Sequence, residues 1–186
     1  MQLKFYKFDN HFDGVGVVPQ HPTMGSDYDY DAPDSVHQLS FDSLPEFEPN
    51  FNSILLDDRA ILTDLISSAT VKNCGWLVSG KLKAILDTFI LPLHQYFPVP
   101  VLHRGQKIPD YWWLQLPQAP VNIPPDAVYS DAEDLILACD ALHDIALFCL
   151  YRPQRFVGCY VRQDLKNAIE AAGITGGRFS TPRLFR

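Results

Sequence analysis

The residues best suited to chemistry or binding in this sequence form an acidic, aromatic run near its N-terminal end. Asp and Tyr alternate from position 27 to position 31, and another carboxylate follows at position 34. Alternating carboxylates and rigid rings can meet a basic, nuclease-like surface by imitating phosphates and bases. The same run can equally be a solvated loop. The candidate partner-binding residues here are Asp27, Tyr28, Asp29, Tyr30, Asp31 and Asp34.

A second candidate is the pair Trp112 and Trp113, in a stretch that favours a strand. Neighbouring side chains of a strand point to opposite faces, so only one of the two rings faces the core if the sheet is covered on one side. The exposed ring would then be a binding hot spot. If both faces of the sheet are covered, both rings belong to the core.

Residue types that form catalytic or metal sites show no matching pattern. Cys139 and His143 stand four residues apart, but a closed zinc site needs four ligands and no second close pair accompanies them. The sequence contains no G-x-S-x-G, H-E-x-x-H or P-loop motif. Residues 173–177 follow a helical pattern and indicate a helix end and a turn rather than a phosphate-binding loop. We therefore expect no enzymatic activity, no metal and no cofactor.

Charge is distributed unevenly along the 186 residues, which carry a net charge of −7 and a pI near 5.2. Residues 1–70 hold 3 Lys and Arg against 12 Asp and Glu, whereas residues 152–186 hold 7 against 2. The acidic balance argues against a general nucleic-acid binder, which is usually basic. The two ends either attract one another within the fold or turn the acidic part towards a basic partner.

Length and composition are typical of a globular protein. With 47% hydrophobic and 20% charged residues, the chain is expected to form a single domain over residues 1–186, of which residues 1–61 are an acidic strand and irregular cover. No apolar stretch is long enough to span a bilayer, and the first residues lack the apolar core of a secretory signal. The four cysteines are far apart, so we expect free thiols in a cytoplasmic protein that binds no membrane.

The elements that must position these residues follow from hydrophobic periodicity. A helix is predicted over residues 80–89 behind Ser79, whose hydroxyl can cap it. Another is predicted over residues 57–68, which place acids in the first turn. Residues 131–143 fit a helix or a buried strand equally well. Strands are predicted at residues 2–8, 36–41, 76–78, 96–103, 111–116 and 146–150, with a hairpin turn at 104–107.

An internal repeat links residues 76–86 with residues 159–169. At an offset of 83, Val78 aligns with Val161, and Lys83 aligns with Lys166. A match this short also arises by chance recurrence of a strand–helix pattern. If it is a duplication, the two copies are expected to share one sheet and one core, since neither buries its own faces. The predicted fold class is α+β, with a mainly antiparallel or mixed sheet and two similar strand–helix–strand modules near residues 76–104 and 157–181.

These modules resemble a widespread bacterial family of immunity proteins from polymorphic toxin systems, first described as a domain of unknown function. The matching segments are 62–65 (LTDL), 77–83 (LVSGKLK), 160–166 (YVRQDLK) and 170–179 (EAAGITGGRF). The resemblance covers about residues 62–181 and departs from the family at Arg162, where a capping serine is expected. It implies a cytoplasmic protein that binds and neutralises a toxin encoded beside it, with no catalysis and no cofactor.

We therefore expect an immunity protein that binds a cognate toxin domain stoichiometrically and covers its active site. A basic, nuclease-like toxin would suit the acidic run, and no nucleic-acid partner is expected. Two other classes stay open. A regulatory or scaffold module would bind other proteins without protecting cells from a neighbouring toxin. A small hydrolase or transferase would need a convergent polar pocket.

Overall fold

The computed structural model describes residues 4–10, 24–40, 42–67, 75–117, 144–152 and 155–181. Within these ranges the chain forms two α-helices, one short 3₁₀ helix and eleven strands, which confirms the predicted α+β class. The strands are β1 (Phe5–Asn10), β2 (Ile54–Leu56), β3 (Leu65–Ile66), β4 (Gly75–Ser79), β5 (Gln95–Pro98), β6 (Val101–His103), β7 (Gln106–Ile108), β8 (Tyr111–Gln115), β9 (Leu147–Arg152), β10 (Arg155–Arg162) and β11 (Gly177–Ser180). The helices are α1 (Gly80–Leu86), α2 (Gln163–Ala171) and the 3₁₀ helix Val36–Gln38.

The strands form three sheets, so the expected sharing of one sheet by both modules is wrong. Two four-stranded sheets have the orders β3-β4-β8-β5 and β11-β1-β10-β9, with antiparallel neighbours throughout. The third sheet pairs β2 with β6 in parallel and β6 with β7 antiparallel. Module one is defined here as β3, β4, α1, β5 and β8, and module two as β1, β9, β10, α2 and β11.

In each module a strand runs directly into a helix, as the repeat predicts. Ser79 ends β4 and caps α1, because its Oγ accepts a hydrogen bond from the backbone N–H of Leu82 at 3.2 Å. Arg162 holds the equivalent position before α2 and makes no side-chain cap. Its guanidinium pairs instead with Asp164 at 2.8 Å, within the first turn. The second helix therefore forms without the capping serine.

The two modules are copies in three dimensions, although their strands come from different parts of the chain. In both, the strand before the helix lies between an earlier edge strand and a central strand, and the strand after the helix lies at the far edge. The central strand is β8 in module one and β1 in module two. Backbone hydrogen bonds repeat too: Gly80 N donates to Asp110 O at 2.7 Å, and Gln163 N donates to Lys4 O at 2.9 Å.

One lysine in each helix is held in the same way. Lys83 Nζ bonds to Asp87 at 2.6 Å and lies 4.5 Å from the ring centre of Tyr96 and 5.4 Å from that of Trp112. The equivalent set in module two is Lys166 with Glu170 at 2.6 Å, Phe179 at 5.3 Å and Tyr6 at 5.1 Å. These cation–π contacts tie each helix to two strands of its sheet. Reproduction of the whole arrangement supports a duplication.

The modules share one core, as expected. Both helices and the strands before them contribute to it through Val78, Leu82, Leu86, Val161, Leu165 and Ile169, all buried. The modules also bond to each other reciprocally: Leu65 N donates to Thr175 O at 3.0 Å, and Ala146 N donates to Ile90 O at 2.9 Å. The segment after each helix is thereby fixed to the other module, at β3 in module one and at the residue before β9 in module two.

A second apolar cluster, which we call the outer cluster, covers the other face of the module-one sheet. The sheet contributes Ile66, Leu77, Phe97, Tyr111 and Trp113 to it. The residues that cover them include Met24, Tyr28, Val36, Leu39, Phe51, Ile54, Leu56 and Ala60. The acidic N-terminal part is therefore attached to module one by its own buried side chains.

Three predicted elements differ in the structure. The strand predicted at residues 36–41 begins as a 3₁₀ helix, because Ser35 Oγ accepts a hydrogen bond from His37 N at 3.1 Å. In place of the helix predicted at residues 57–68, the described residues 57–67 contain a local turn, in which Asp57 accepts a hydrogen bond from Arg59 N, and then β3, which pairs with β4. The strand predicted at 96–103 is two strands: β5 pairs with β8, and β6 forms a hairpin with β7. Residues 131–143 lie outside the described residues.

Two of the four cysteines form a disulfide, so the expectation of free thiols is wrong for this pair. Cys149 and Cys159 stand opposite one another on β9 and β10, with Cα atoms 4.1 Å apart. Sequence spacing gave no sign of this pairing, because the register of the two strands brings them together. Both side chains are buried in the shared core.

Candidate partner-binding site

The acidic loop, residues 27–34, is built on the buried side chain of Tyr28. This residue is 8% exposed, and its hydroxyl donates to Asn50 O at 2.6 Å and accepts from Val36 N at 2.8 Å. The backbone N–H of Tyr28 closes a turn onto Gly25 O at 3.1 Å. At the other end of the loop, Asn50 N donates to Asp34 O at 2.8 Å. The loop is thus fixed at both ends before any partner binds.

The carboxylates of this loop are exposed to solvent, and so is one of its rings, that of Tyr30. Asp27, Asp29, Asp31 and Asp34 are all exposed. Tyr30 is 39% exposed and packs against Tyr28, with ring centres 4.8 Å apart. Its ring also lies 4.6 Å from that of His37, a neighbour that sequence patterns did not indicate. Asp29 Oδ1 accepts from Asp31 N at 3.0 Å, which shapes the turn.

The chain segment that carries the loop is strongly acidic. Residues 24–67 contain ten Asp and Glu, and their one Arg or Lys is Arg59. That guanidinium pairs with Asp57, with Nε 3.1 Å from the carboxylate. A surface of this kind attracts basic proteins and increases the rate of encounter. Because the loop is already ordered, little conformational entropy is lost on binding.

Three of the eight predicted contact residues do not belong to the exposed surface of the acidic loop. Tyr28 and Trp113 are both buried in the outer cluster, so neither ring can touch a partner in this conformation. Trp113 is 0% exposed, and its Nε1 donates to Gln115 at 2.9 Å. Trp112 lies on the opposite face, half-buried under Lys83, and its Nε1 donates to Asp110 at 2.9 Å. These three rings support the fold beneath or beside the site.

Sequence reasoning missed a polar clamp centred on Asp64. Its carboxylate accepts hydrogen bonds from Ser79 Oγ at 2.7 Å and from Thr175 N and Oγ1 at 2.9 Å each. Partial burial raises the pKa of Asp64, but the hydrogen bonds from Ser79 and Thr175, with the charge of Lys81, outweigh it and hold the pKa below its usual value. The clamp joins the helix cap of module one to module two.

Asp64→Ala should lower the free energy of unfolding by about 1–3 kcal/mol, because three hydrogen bonds are lost at once. The folded-state pKa is lowered, so this stabilisation is complete above about pH 5 and declines as the pH falls through the folded-state pKa. Urea denaturation from pH 7 to pH 3 checks both effects. Asp64→Asn should show a shallower loss in acid, and Asp58→Ala, at an exposed carboxylate, is the control. Equal acid slopes for wild type and Asp64→Asn would contradict the role.

The described residues offer no clear place for a metal ion. No group of three or more His, Cys, Asp and Glu comes together within the parts of the chain that the structure describes. Cys139 and His143 lie outside those parts. In the same parts, no helix has both the length and the apolarity needed to cross a membrane.

The sequence matches no known protein-family model, and no characterised protein is significantly similar to it.

Proposed function

We propose that this protein is an immunity protein, which binds a cognate bacterial toxin domain and occludes its active site. The observation that carries the proposal is the acidic loop, where four exposed carboxylates and the exposed ring of Tyr30 share one short segment on a fixed base. The resemblance of short sequence segments in these modules to the immunity family is consistent with the same function. A binding role requires no cofactor and no catalytic residue.

The loop suits a toxin with a basic active-site surface, such as a nuclease. Its carboxylates would speed the encounter, and Tyr30 would be a central anchor that slows dissociation. Asp29 and Asp31 are the neighbours of this anchor along the chain, and its ring lies 4.6 Å from that of His37. A phosphate-binding surface on the toxin would meet this array directly.

We propose that the protein acts in the cytoplasm, where it would meet the toxin before or after delivery. The Cys149–Cys159 disulfide counts against this location, because disulfides persist chiefly in oxidising compartments. Fractionation of the native cells, with the thiols trapped at lysis, decides the compartment. Recovery in the periplasm with the bond intact would move the site of toxin capture there.

The direct test is calorimetry with the C-terminal domain of the large protein encoded beside this gene. One-to-one binding with a nanomolar dissociation constant, and survival of cells that express both proteins, is the expected result. No heat at micromolar concentrations, with both partners shown to be folded, would overturn the pairing. Binding without protection would favour the regulatory or scaffold module instead.

Charge reversal in the loop should slow toxin capture. Asp27→Lys/Asp29→Lys/Asp31→Lys should reduce the association rate at low salt by about 10- to 100-fold. The matched control, Asp42→Lys/Glu46→Lys/Glu48→Lys, changes the net charge equally at exposed sites outside the loop. Stopped-flow or biosensor kinetics at several salt concentrations measure the rates. Equal effects of the two triple variants would exclude the loop as the contact, leaving only an overall charge effect.

A further inference from the structure

The turn between β6 and β7 divides the chain into two halves, and neither half contains every strand of its own sheet. We call residues 1–103 the first half and residues 106–186 the second half. In the first half, β4 and β5 do not pair with each other, because β8 of the second half lies between them. In the second half, β10 and β11 are separated in the same way by β1 of the first half. Each half therefore supplies a central strand of the other half's sheet.

Contacts between the two halves also form the shared core. Leu82 of the first half and Leu165 of the second half belong to one buried cluster. The Asp64 carboxylate of the first half accepts hydrogen bonds from Thr175 of the second, and β6 pairs with β7 across the turn. The backbone passes from one half to the other at this turn alone, since each half is a continuous stretch of chain. All these contacts are therefore equally possible between the halves of two different copies.

The turn that joins the halves is strained at its first residue. Arg104 has φ +52° and Gly105 has φ +71°, and a two-residue hairpin turn of type I′ requires positive φ at both positions. Glycine adopts this conformation freely, but the Cβ of an arginine makes it unfavourable, and asparagine is the usual residue there. Both residues are exposed, and a Cβ at Gly105 would have no neighbour within 4 Å. Opening of the turn into an extended strand relieves the strain at Arg104.

The register of the hairpin allows the opened strands of two copies to pair. In the hairpin His103 stands opposite Gln106. When β6 and β7 become one continuous strand, the same register in two copies places Arg104 of each copy opposite Gly105 of the other. Residues that stand opposite one another point to the same face, and successive residues point to opposite faces. The two Arg104 side chains therefore lie on opposite faces of the new strand pair and do not repel each other.

We propose that this chain has a second native state, a dimer in which two copies exchange halves at the Arg104–Gly105 turn. The first half of each copy packs against the second half of the other, with the same strand pairs and the same core as in the monomer. The partner is therefore a second copy of this chain, and the interaction surface is the one between the halves. The contact is isologous and closed, so assembly stops at two copies. This inference does not depend on the proposed function, because no toxin takes part in it.

Refolding of the full chain at different concentrations tests for the dimer. Protein unfolded in urea, with the Cys149–Cys159 disulfide intact, is refolded at micromolar and at millimolar concentration and analysed by size exclusion with light scattering. We expect the fraction of dimer to rise with the concentration during refolding. The dimer should persist after dilution, because separation of the halves requires unfolding. Monomer alone at every refolding concentration would overturn the proposal.

Cross-linking distinguishes exchange of halves from simple surface contact. Lys4 in the first half and Lys166 in the second lie over the same ring, with their Nζ atoms 5.0 Å and 5.1 Å from the ring centre of Tyr6. A short amine cross-linker should therefore join these two lysines. In the dimer refolded from a mixture of isotope-labelled and unlabelled protein, exchange predicts Lys4–Lys166 pairs that combine a labelled with an unlabelled peptide. A dimer that yields only uniformly labelled or uniformly unlabelled pairs would overturn the proposal.

Two substitutions of Arg104 should move the equilibrium in opposite directions. Arg104→Asn and Arg104→Val both remove the guanidinium, whose Nε donates to Asp58 O at 2.7 Å, so the difference between them reports the backbone of the turn. Asparagine tolerates positive φ, whereas a β-branched residue does not. We expect the dimer-to-monomer ratio after refolding to fall in Arg104→Asn and to rise in Arg104→Val, with a difference of at least about tenfold between them.

The matched controls are Lys107→Asn and Lys107→Val, at an exposed lysine of β7 that is extended in both states. Their dimer-to-monomer ratios should stay close to one another, and circular dichroism verifies that all four variants fold. Equal ratios in the two Arg104 variants would overturn the proposal, because the dimer would then not form by opening of the turn. If the exchanged dimer forms while toxin binding fails, the proposed function is wrong and this inference stands. If toxin binds but no exchanged dimer forms, this inference is wrong and the proposed function stands.

Discussion

Gly176→Ala should lower the free energy of unfolding by about 3 kcal/mol or more, because two costs coincide at this position. The backbone has φ +85°, which side chains with a Cβ rarely adopt. A Cβ there would also overlap the carbonyl oxygen of Leu65 and the side chain of Thr63. Those atoms belong to the junction between the modules, where Leu65 N bonds to Thr175 O. The substitution therefore forces apart an inter-module contact as well as straining a turn.

Gly173→Ala separates the two costs. Its φ is +63°, but a Cβ there would have no neighbour within 4 Å. We expect this control to lose only about 1 kcal/mol, from backbone strain alone. Urea denaturation of both variants gives the comparison, with the extra loss at Gly176 reporting the overlap. Similar losses of stability in the two variants would mean that the junction between the modules accommodates the added Cβ at no cost in free energy.

Reduction of the Cys149–Cys159 disulfide should lower the free energy of unfolding by about 3 kcal/mol, the loop-closure entropy expected for a bond across a sequence separation of 10. Domains of this kind are stable by about 5–15 kcal/mol, so the loss is a large fraction of the total. Guanidinium denaturation of the wild type with and without reductant measures it. The reduced protein keeps every side chain, so no cavity contributes to the difference.

The matched control is Cys149→Ala/Cys159→Ala, whose stability should not respond to reductant. Alkylation of the denatured wild type should label two more cysteines with reductant than without it. A stability of the reduced wild type equal to that of the oxidised protein would show that the strand register alone holds β9 against β10.

Local signals in the sequence predicted the modules well. Ser79 stands before an amphipathic helix and is its cap, and the match of Lys83 with Lys166 marks two lysines with the same environment. The cap and the helix pattern depend on residues close together in the chain. Periodicity and capping chemistry describe such neighbourhoods directly.

Features that depend on distant pairing could not be predicted in the same way. β1 lies between β10 and β11, which come much later in the sequence. No property of the six residues of β1 identifies those strands as its partners. Leu65 and Ile66 suit a helical face, yet they form the edge strand β3, which pairs with β4. At the candidate site, exposure of the four Asp residues follows from their chemistry. Burial of Tyr28 depends on Asn50 and Val36, which only the folded chain brings to its hydroxyl.

The position of β1 has a consequence for the order in which the protein assembles during synthesis. All strands of module one lie within residues 65–115, so its sheet can close while the ribosome is still adding the rest of the chain. Module two uses β1 at its centre but needs β10 and β11, which are made more than 140 residues later. Until then β1 has an unpaired edge on both sides, a state that favours pairing with other chains. The nascent protein is therefore most exposed to misassociation just before its second sheet closes, and a chaperone that covers the first ten residues would act at that step.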